Sequence, residues 1–388
     1  MENLQPKLRF PEFEKDWETK KLQDFCTFFS GGTPTSTNKK YYNGNIPFIK
    51  SGEISSDRTE QFITEDGLKN SSAKLVNEGD ILYALYGATS GQVSVSKLNG
   101  AINQAVLCIR PNNSNNNLLK EILSFNKQNI IDKYIQGGQG NLSGAIVKNL
   151  SFNFPTLQEQ TKIADFLGAV DKQLDILNQK KEKLTTYKKG VMQQLFSQQI
   201  RFKDDNGNDF PDWQEKTLGE VCTIIMGQSP DSNSYNSEGL GLPLIQGNAD
   251  IINRKSNPRQ HTSQITKISE IGDILFTVRA PVGAVGINYL ESCIGRGVAA
   301  IRANQSQQYM YQFLLFIEND WDKLSQGSTF TAINSKDLKN YKLFIPSIAE
   351  QTKIANFLSA IDNQIEAVEN QITKTETYKK GLLQQMFV

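Results

Sequence analysis

The sequence predicts an α+β chain. Two mixed α/β globules are separated by two long helices that form an antiparallel coiled coil, and the whole is a pseudo-twofold internal duplication. Three observations predict this. First, a 42-residue stretch occurs twice, at 155–196 and 346–387, with a constant offset of 191 and 21 identical positions. Second, both copies carry a sustained apolar stripe at helical spacing. Third, each copy follows a segment in which short apolar runs alternate with Gly, Pro and Asn turns.

The repeat reads as a helix because neither copy contains Pro after its first residue, and Leu, Lys, Gln, Ala and Glu fill both. The stripe alternates four and three. In the first copy it runs Ile163, Leu167, Val170, Leu174, Leu177, Lys181, Leu184, Lys188, Val191, Leu195. In the second it runs Ile354, Leu358, Ile361, Ile365, Val368, Ile372, Thr375, Lys379, Leu382, Met386. So narrow a seam is a helix-on-helix surface more than a face laid on a domain. About 40 residues rising 1.5 Å each make a rod of roughly 60 Å. The boundaries that follow are 1–154 and 200–345 for the globules, and 155–199 and 346–388 for the spacer helices.

The globules share a skeleton. Trp17, Leu22, Cys26, Thr27, Gly31 and Pro34 recur at an offset of 196 as Trp213, Leu218, Cys222, Thr223, Gly227 and Pro230. Residues 46–54 (IPFIKSGEI) correspond to 242–251 (LPLIQGNADI), each an apolar strand followed by a loop. Gly79-Asp80-Ile81-Leu82 matches Gly272-Asp273-Ile274-Leu275, a turn feeding a buried strand. Small-residue loops at 86–96 and 279–288 follow, then strands ending in Ile109-Arg110 and Ile301-Arg302. Helical segments are expected around 118–134 and 307–324, then Gly/Ser/Gln loops at 136–144 and 326–334, then a last strand. The loops differ most between halves, which is where recognition sits on a common scaffold.

Composition narrows the function. With one histidine, His261, a His-rich metal site is excluded. Cys26, Cys108, Cys222 and Cys293 lie far apart without C-x-x-C spacing and read as reduced core residues of a cytoplasmic protein. No apolar run spans a membrane, and the first ten residues lack the apolar core of a signal peptide. Net charge is +1, so any grip on nucleic acid must come from local clusters or be shared with a partner. No phosphate-binding G-x4-G-K-[ST], dinucleotide G-x-G-x-x-G or adenine-methyltransferase N/D-P-P-Y/F is present. Pro211-Asp212 with Glu215-Lys216 has the wrong spacing for a nuclease carboxylate set. No catalytic residue is expected.

Two unlike globules on two like rods suit a ruler. Modules held roughly 34–36 Å apart could read two different half-sites on one face of DNA. Phosphates call for Lys and Arg, and base edges for Arg, Lys, Asn, Gln, Ser and Thr. The candidates in the first half are Lys39, Lys40, Lys50, Ser51, Thr89, Ser90, Gln92, Gln104, Gln139 and Asn141. In the second half they are Gln228, Gln246, Asn248, Arg254, Arg259, Arg279, Arg296, Ser328 and Thr329. Each one taken singly also reads as an ordinary solvated residue. The competing function is a scaffold whose globules bind proteins.

Each long helix is entered by P-x3-E-Q-T-K-I-A-x-F-L and left by Y-K-K-G-x2-Q-Q-[LM]-F. Each globule carries W-x4-L-x3-C-T and G-D-I-L. Together these resemble the specificity (S) subunit of type I restriction–modification enzymes over essentially the whole chain. The resemblance implies a non-catalytic subunit whose globules are target recognition domains reading a bipartite, gapped double-stranded DNA site. It implies two methyltransferase (M) subunits docked along the helices, and endonuclease/translocase (R) subunits that join for restriction. It also implies that S-adenosylmethionine, ATP and Mg²⁺ belong to those partners. The two copies depart from one another where Lys181 faces Ile372 and Leu184 faces Thr375 in the alignment.

Overall fold

The computed structural model describes residues 5–134, 141–321 and 332–387. The chain divides into two compact units, residues 1–178 with 371–388, and residues 179–370. Each unit draws on three of the four sequential segments expected above. Each contains one globule and half of each long helix, because the helix halves pack into the globule cores.

Unit one is built on two four-stranded sheets. The first has the order Cys26–Ser30, Val106–Pro111, Ile81–Ala84, Val93–Val95, all antiparallel. The second has the order Phe62–Ile63, Tyr42–Ile49, Gly100–Ile102, Lys74–Val76. Strand Ile81–Ala84 is buried along its whole length, which is why it reads as an unbroken apolar run rather than an alternating one. Ile49, Val76, Leu82, Ile102 and Cys108 form a core of their own, and burial pushes the Cys108 thiol up to about 12. Strand Glu18–Lys21 pairs with Ser151–Phe154 where the chain leaves for the long helix.

Unit two repeats the plan with longer sheets. Six strands run in the order Cys222–Met226, Val298–Ala303, Ile274–Thr277, Val285–Ile287, Lys255–Ser256, Ile251–Ile252. Five more run Tyr235–Asn236, Gln260–Thr262, Leu242–Ile245, Ser292–Ile294, Ile268–Ser269. His261 lies in one of these strands and is half-buried. Strand Gln214–Thr217 pairs with Lys342–Ile345.

The Gly-Asp openings are locks as well as turns. Gly79 and Gly272 have φ of 93° and 88°, a region that a side chain disfavours. Asp80 accepts the Asn77 N–H at 2.7 Å and a two-pronged contact from Arg110 at 2.8 and 2.6 Å. Burial pushes the Asp80 carboxyl up, but the Arg110 guanidinium outweighs it and holds it below the usual range. Asp273 makes the equivalent contacts, accepting the Glu270 N–H at 2.8 Å and Arg302 at 2.8 and 2.9 Å.

The long helices span Leu157–Phe196 and Ile348–Met386. In unit one, Ile163 and Leu167 of the first share a core with Leu382 and Met386 of the second, so the two segments run antiparallel. In unit two, Val191 and Leu195 share a core with Ile354, Leu358 and Ile361 in the same sense. Every seam position named above is buried or half-buried. The lysines in the seam are paired. Lys379 reaches Asp171 at 2.6 Å and Glu121 at 3.1 Å, and Lys188 reaches Asp362 at 2.6 Å. Gln312, which stands where the first unit has Glu121, donates to Asp362 at 2.7 Å.

The helix entrances explain the repeated Glu-Gln. Glu159, with no exposed surface, accepts from Arg9 at 2.8 and 2.9 Å and from the Trp17 indole at 3.3 Å. Glu350, equally buried, accepts from Arg201 at 3.1 and 2.8 Å and from the Trp213 indole at 3.1 Å. Gln160 and Gln351 each donate to the carbonyl of the proline that precedes their helix, Pro155 and Pro346, at 2.9 Å. The motif therefore fastens each helix start to its globule.

Candidate nucleic-acid interface

Equivalent strand pairs build one end of each globule. In unit one, Phe48 and Ile49 pair in parallel with Ala101 and Ile102. In unit two, Leu244 and Ile245 pair in parallel with Cys293 and Ile294. Parallel pairing brings both strand exits to the same edge. The loops beyond the strands must then gather there, and the register makes Lys50 equivalent to Gln246, and Gln104 to Arg296.

A third loop is drawn in by close backbone approach. A Cβ on Gly31 would lie 1.7 Å from the Ile102 carbonyl oxygen, and one on Gly227 would lie 2.2 Å from that of Gly295. No side chain fits at either place, so both positions need glycine. Two residues on, the Thr33 hydroxyl donates to Gln104 Oε1 at 2.6 Å, and the Ser229 hydroxyl accepts the Arg296 N–H at 3.2 Å. The hydroxyls of Tyr42 and Tyr235 donate to the carbonyls of Pro34 (2.5 Å) and Pro230 (3.2 Å). A fourth loop places Tyr86 and Arg279, each five residues after the first residue of its buried central strand. Both are exposed.

In unit two these loops line an open cleft; in unit one the Thr33 loop borders one, which Lys50, Tyr86 and Gln104 do not line. The one in unit two has a volume of about 560 Å³ and is lined by Ser229, Tyr235, Gln246, Asn248, Arg279 and Arg296, among others. The one in unit one has a similar volume, about 560 Å³, and is lined by Thr33, Ser36, Lys39, Tyr42, Asn43 and Gln61.

Charge separates the arginines. Arg254 grips Glu318 at 2.7 Å and donates to the Val285 carbonyl at 3.1 Å. Arg259 pairs with the buried Asp250 at 2.8 Å, whose other oxygen accepts the Gln246 N–H at 2.8 Å. Arg201 and Arg302 are held by Glu350 and Asp273. Among the described residues of unit two, Arg279 and Arg296 are the arginines without a carboxylate partner, and both line the cleft.

The remaining candidates fall in several places. Lys39 and Lys40 form the turn Lys39–Tyr41 beside the first cleft, with both side chains exposed. Lys50 is exposed and Ser51 half-buried, in a loop held by the Lys50 N–H on Glu53 at 3.1 Å. Ser90 is buried with its hydroxyl on the Leu85 carbonyl at 3.1 Å, and Thr89 donates to the Tyr86 carbonyl at 3.4 Å. Gln92 lines a separate groove with Ser55 and Lys127. Asn141 and Gln228 are exposed. Gln139, Ser328 and Thr329 lie outside the described residues. Sequence reasoning passed over Thr33, Tyr86, Ser229 and Tyr235, although their positions just beyond matching strands in both halves were a usable signal.

Residues 14–186 and 211–376 each match the family described as type I restriction modification DNA specificity domain. The chain belongs to the family of type I restriction–modification specificity subunits. This specificity subunit is 33% identical to the one assigned to the MjaX type I restriction enzyme of Methanocaldococcus jannaschii, over 97% of this chain and 94% of that one. It is 24% identical to the MjaVIII specificity subunit of the same organism, over 97% and 92%. A solved chain described as "Structural basis underlying complex assembly and conformational transition of the type I R-M system" matches at TM-score 0.61 and 26% identity, covering 97% of both chains. The S subunit of M. genitalium shares the fold, at TM-score 0.66 and 16% identity over 99% of both. As a specificity subunit it serves DNA recognition, and its family is non-catalytic. Among the described residues no group of three or more His, Cys, Asp or Glu is placed to hold a metal ion, and no helix is long and apolar enough to cross a membrane.

Proposed function

We propose that each cleft reads one half of a bipartite, gapped, asymmetric duplex DNA site. The long helices act as the spacer that sets the gap. In the cytoplasm the subunit directs two methyltransferase subunits to that site, and endonuclease/translocase subunits join for restriction. S-adenosylmethionine, ATP and Mg²⁺ act on those partners, and this chain supplies no catalytic group.

One observation carries the reading. The loops at the equivalent edge of the two globules hold different polar side chains, whereas the spacer helices are half identical. Positions that differ between copies suit two different half-sites. Positions that stay the same suit two copies of one partner. Tyr187 and Tyr378, exposed at 53% and 55% in the shared Y-K-K-G, are the outstanding apolar features of that constant surface. Exposed tyrosines of this kind favour protein docking.

The test is to map modified bases in cells that carry the partner subunits, with and without this gene. The expected outcome is one gapped, asymmetric motif that is modified only when the gene is present. An unchanged pattern, or an ungapped motif, would contradict the reading.

A further inference from the structure

Resting on that reading, we infer that positions 104 and 296 are the same base-reading position in the two globules, with Gln104 reading adenine and Arg296 reading guanine. The two residues are equivalent by strand register, each lying two residues beyond the isoleucine that ends a parallel pair, Ile102 or Ile294. Each is exposed and is tied to the same neighbouring loop, Gln104 by Thr33 and Arg296 by Ser229.

The backbone at both places is held firmly. The Asn103 side chain accepts the Ala105 N–H at 3.1 Å. The Gly295 N–H donates to the Ile245 carbonyl at 2.8 Å, and a Cβ on Gly297 would lie 2.2 Å from the Gln246 oxygen. A side chain on so fixed a base can present one geometry, which base-edge recognition requires and phosphate binding does not.

The chemistry then assigns the bases. A guanidinium offers two parallel donors that match guanine O6 and N7, and an amide offers the donor and acceptor that match adenine N6 and N7. Arg296 has no carboxylate partner among the described residues, so its fork is not committed elsewhere. Gln104 Oε1 accepts one hydrogen bond, from Thr33, which turns the amide yet leaves its NH₂ and a second lone pair available. Arg279, where unit one has Tyr86, adds a second uncompensated cation to the same wall and draws the phosphodiester backbone to the cleft.

The experiment uses the whole subunit with its partner subunits and maps modified sites for Arg296→Gln, Arg296→Lys and Gln104→Arg. Arg296→Gln is expected to lower modification of the original site roughly 5- to 150-fold and to shift one position of one half-site from guanine toward adenine. Gln104→Arg is expected to make the converse shift in the other half-site. In each case the opposite half stays as it was. Thermal melting checks that the exposed substitutions leave the fold intact. Uniformly weaker modification of an unaltered motif, with Arg296→Lys restoring it, would overturn base reading while leaving the cleft on DNA. Full modification of an unaltered motif by every variant would overturn these loops as the DNA face as well. A wild-type motif lacking guanine in one half or adenine in the other also overturns the assignment.

Discussion

Glu159 and Glu350 each stand fully buried at a helix entrance, with donors brought from far along the chain. Arg9 and Trp17 lie 150 and 142 residues before Glu159, and Arg201 and Trp213 lie 149 and 137 before Glu350. Removing one member of such a group leaves a buried charge without its partner, which costs about 3–5 kcal/mol. Glu350→Ala is therefore expected to destabilise unit two by about that amount, and Glu350→Gln by less, since the amide oxygen can still accept from the indole. Hydrogen exchange resolved by segment checks this. Protection should fall across residues 201–217 and 342–361 and stay unchanged across 9–21. The Glu-Gln pair was readable in the sequence as a repeat, but its reason was not, because partners so distant leave no local periodicity. The arginines teach the same lesson. Arg254, Arg279 and Arg296 are equal candidates on chemistry alone, and only the position of Glu318, 64 residues beyond Arg254, separates the first from the other two.

At the scale of the element, the seam was legible nearly residue by residue, because a buried stripe must follow the helical repeat. What the stripe left unexplained was its lysines. In unit one, Lys379 lies between Asp171 and Glu121, with Lys120 completing the group. In unit two, Lys188 lies beside Asp362, and a neutral Gln312 replaces the second acid. Tyr311, which stands where unit one has Lys120, is half-buried and uncharged at neutral pH, burial pushing its hydroxyl up to about 12, so both groups balance their charge. By contrast, the Lys181–Glu369 pair at 2.8 Å is more than two-fifths exposed on both sides and contributes little.

The unit-one group has a defined pH dependence. Burial pushes the Asp171 carboxyl up, but the Lys379 ammonium outweighs it and holds it below its usual range. Burial pulls Lys379 down, but Asp171 and Glu121 outweigh it and hold it above its usual range. A lowered carboxylate stabilises the fold above its unfolded value of about 4, and that contribution is lost as pH falls through the lower folded value. A raised ammonium stabilises below its unfolded value of about 10.4, and that contribution is lost as pH rises through the higher folded value. The packing of helix ends in unit one should thus be most stable between about pH 4 and 10. Lys379→Met should remove the alkaline loss and weaken the acid one, as followed by thermal melting against pH. Identical melting-versus-pH curves for variant and wild type would show that the group contributes nothing.

For the whole molecule, the duplication was plain from the constant offset, and with it the α+β plan of two globules and two helices. The composition of the compact units was not. A linear reading cuts the chain into four segments, whereas each unit gathers one globule with half of both helices. The clefts were legible in chemistry more than in shape. Lys39, Gln246, Asn248, Arg279 and Arg296 line them, and so do Thr33, Ser229 and Tyr235, which the candidate set left out. The matching strand registers support the proposal that two independent readers stand on one repeated scaffold. The most direct measurement exchanges residues 1–154 for the corresponding segment of a relative with different loops and maps the modified site in the assembled complex. One half-site is expected to change while the other half-site and the gap are kept. A change in both half-sites, in the gap alone, or in neither would contradict it.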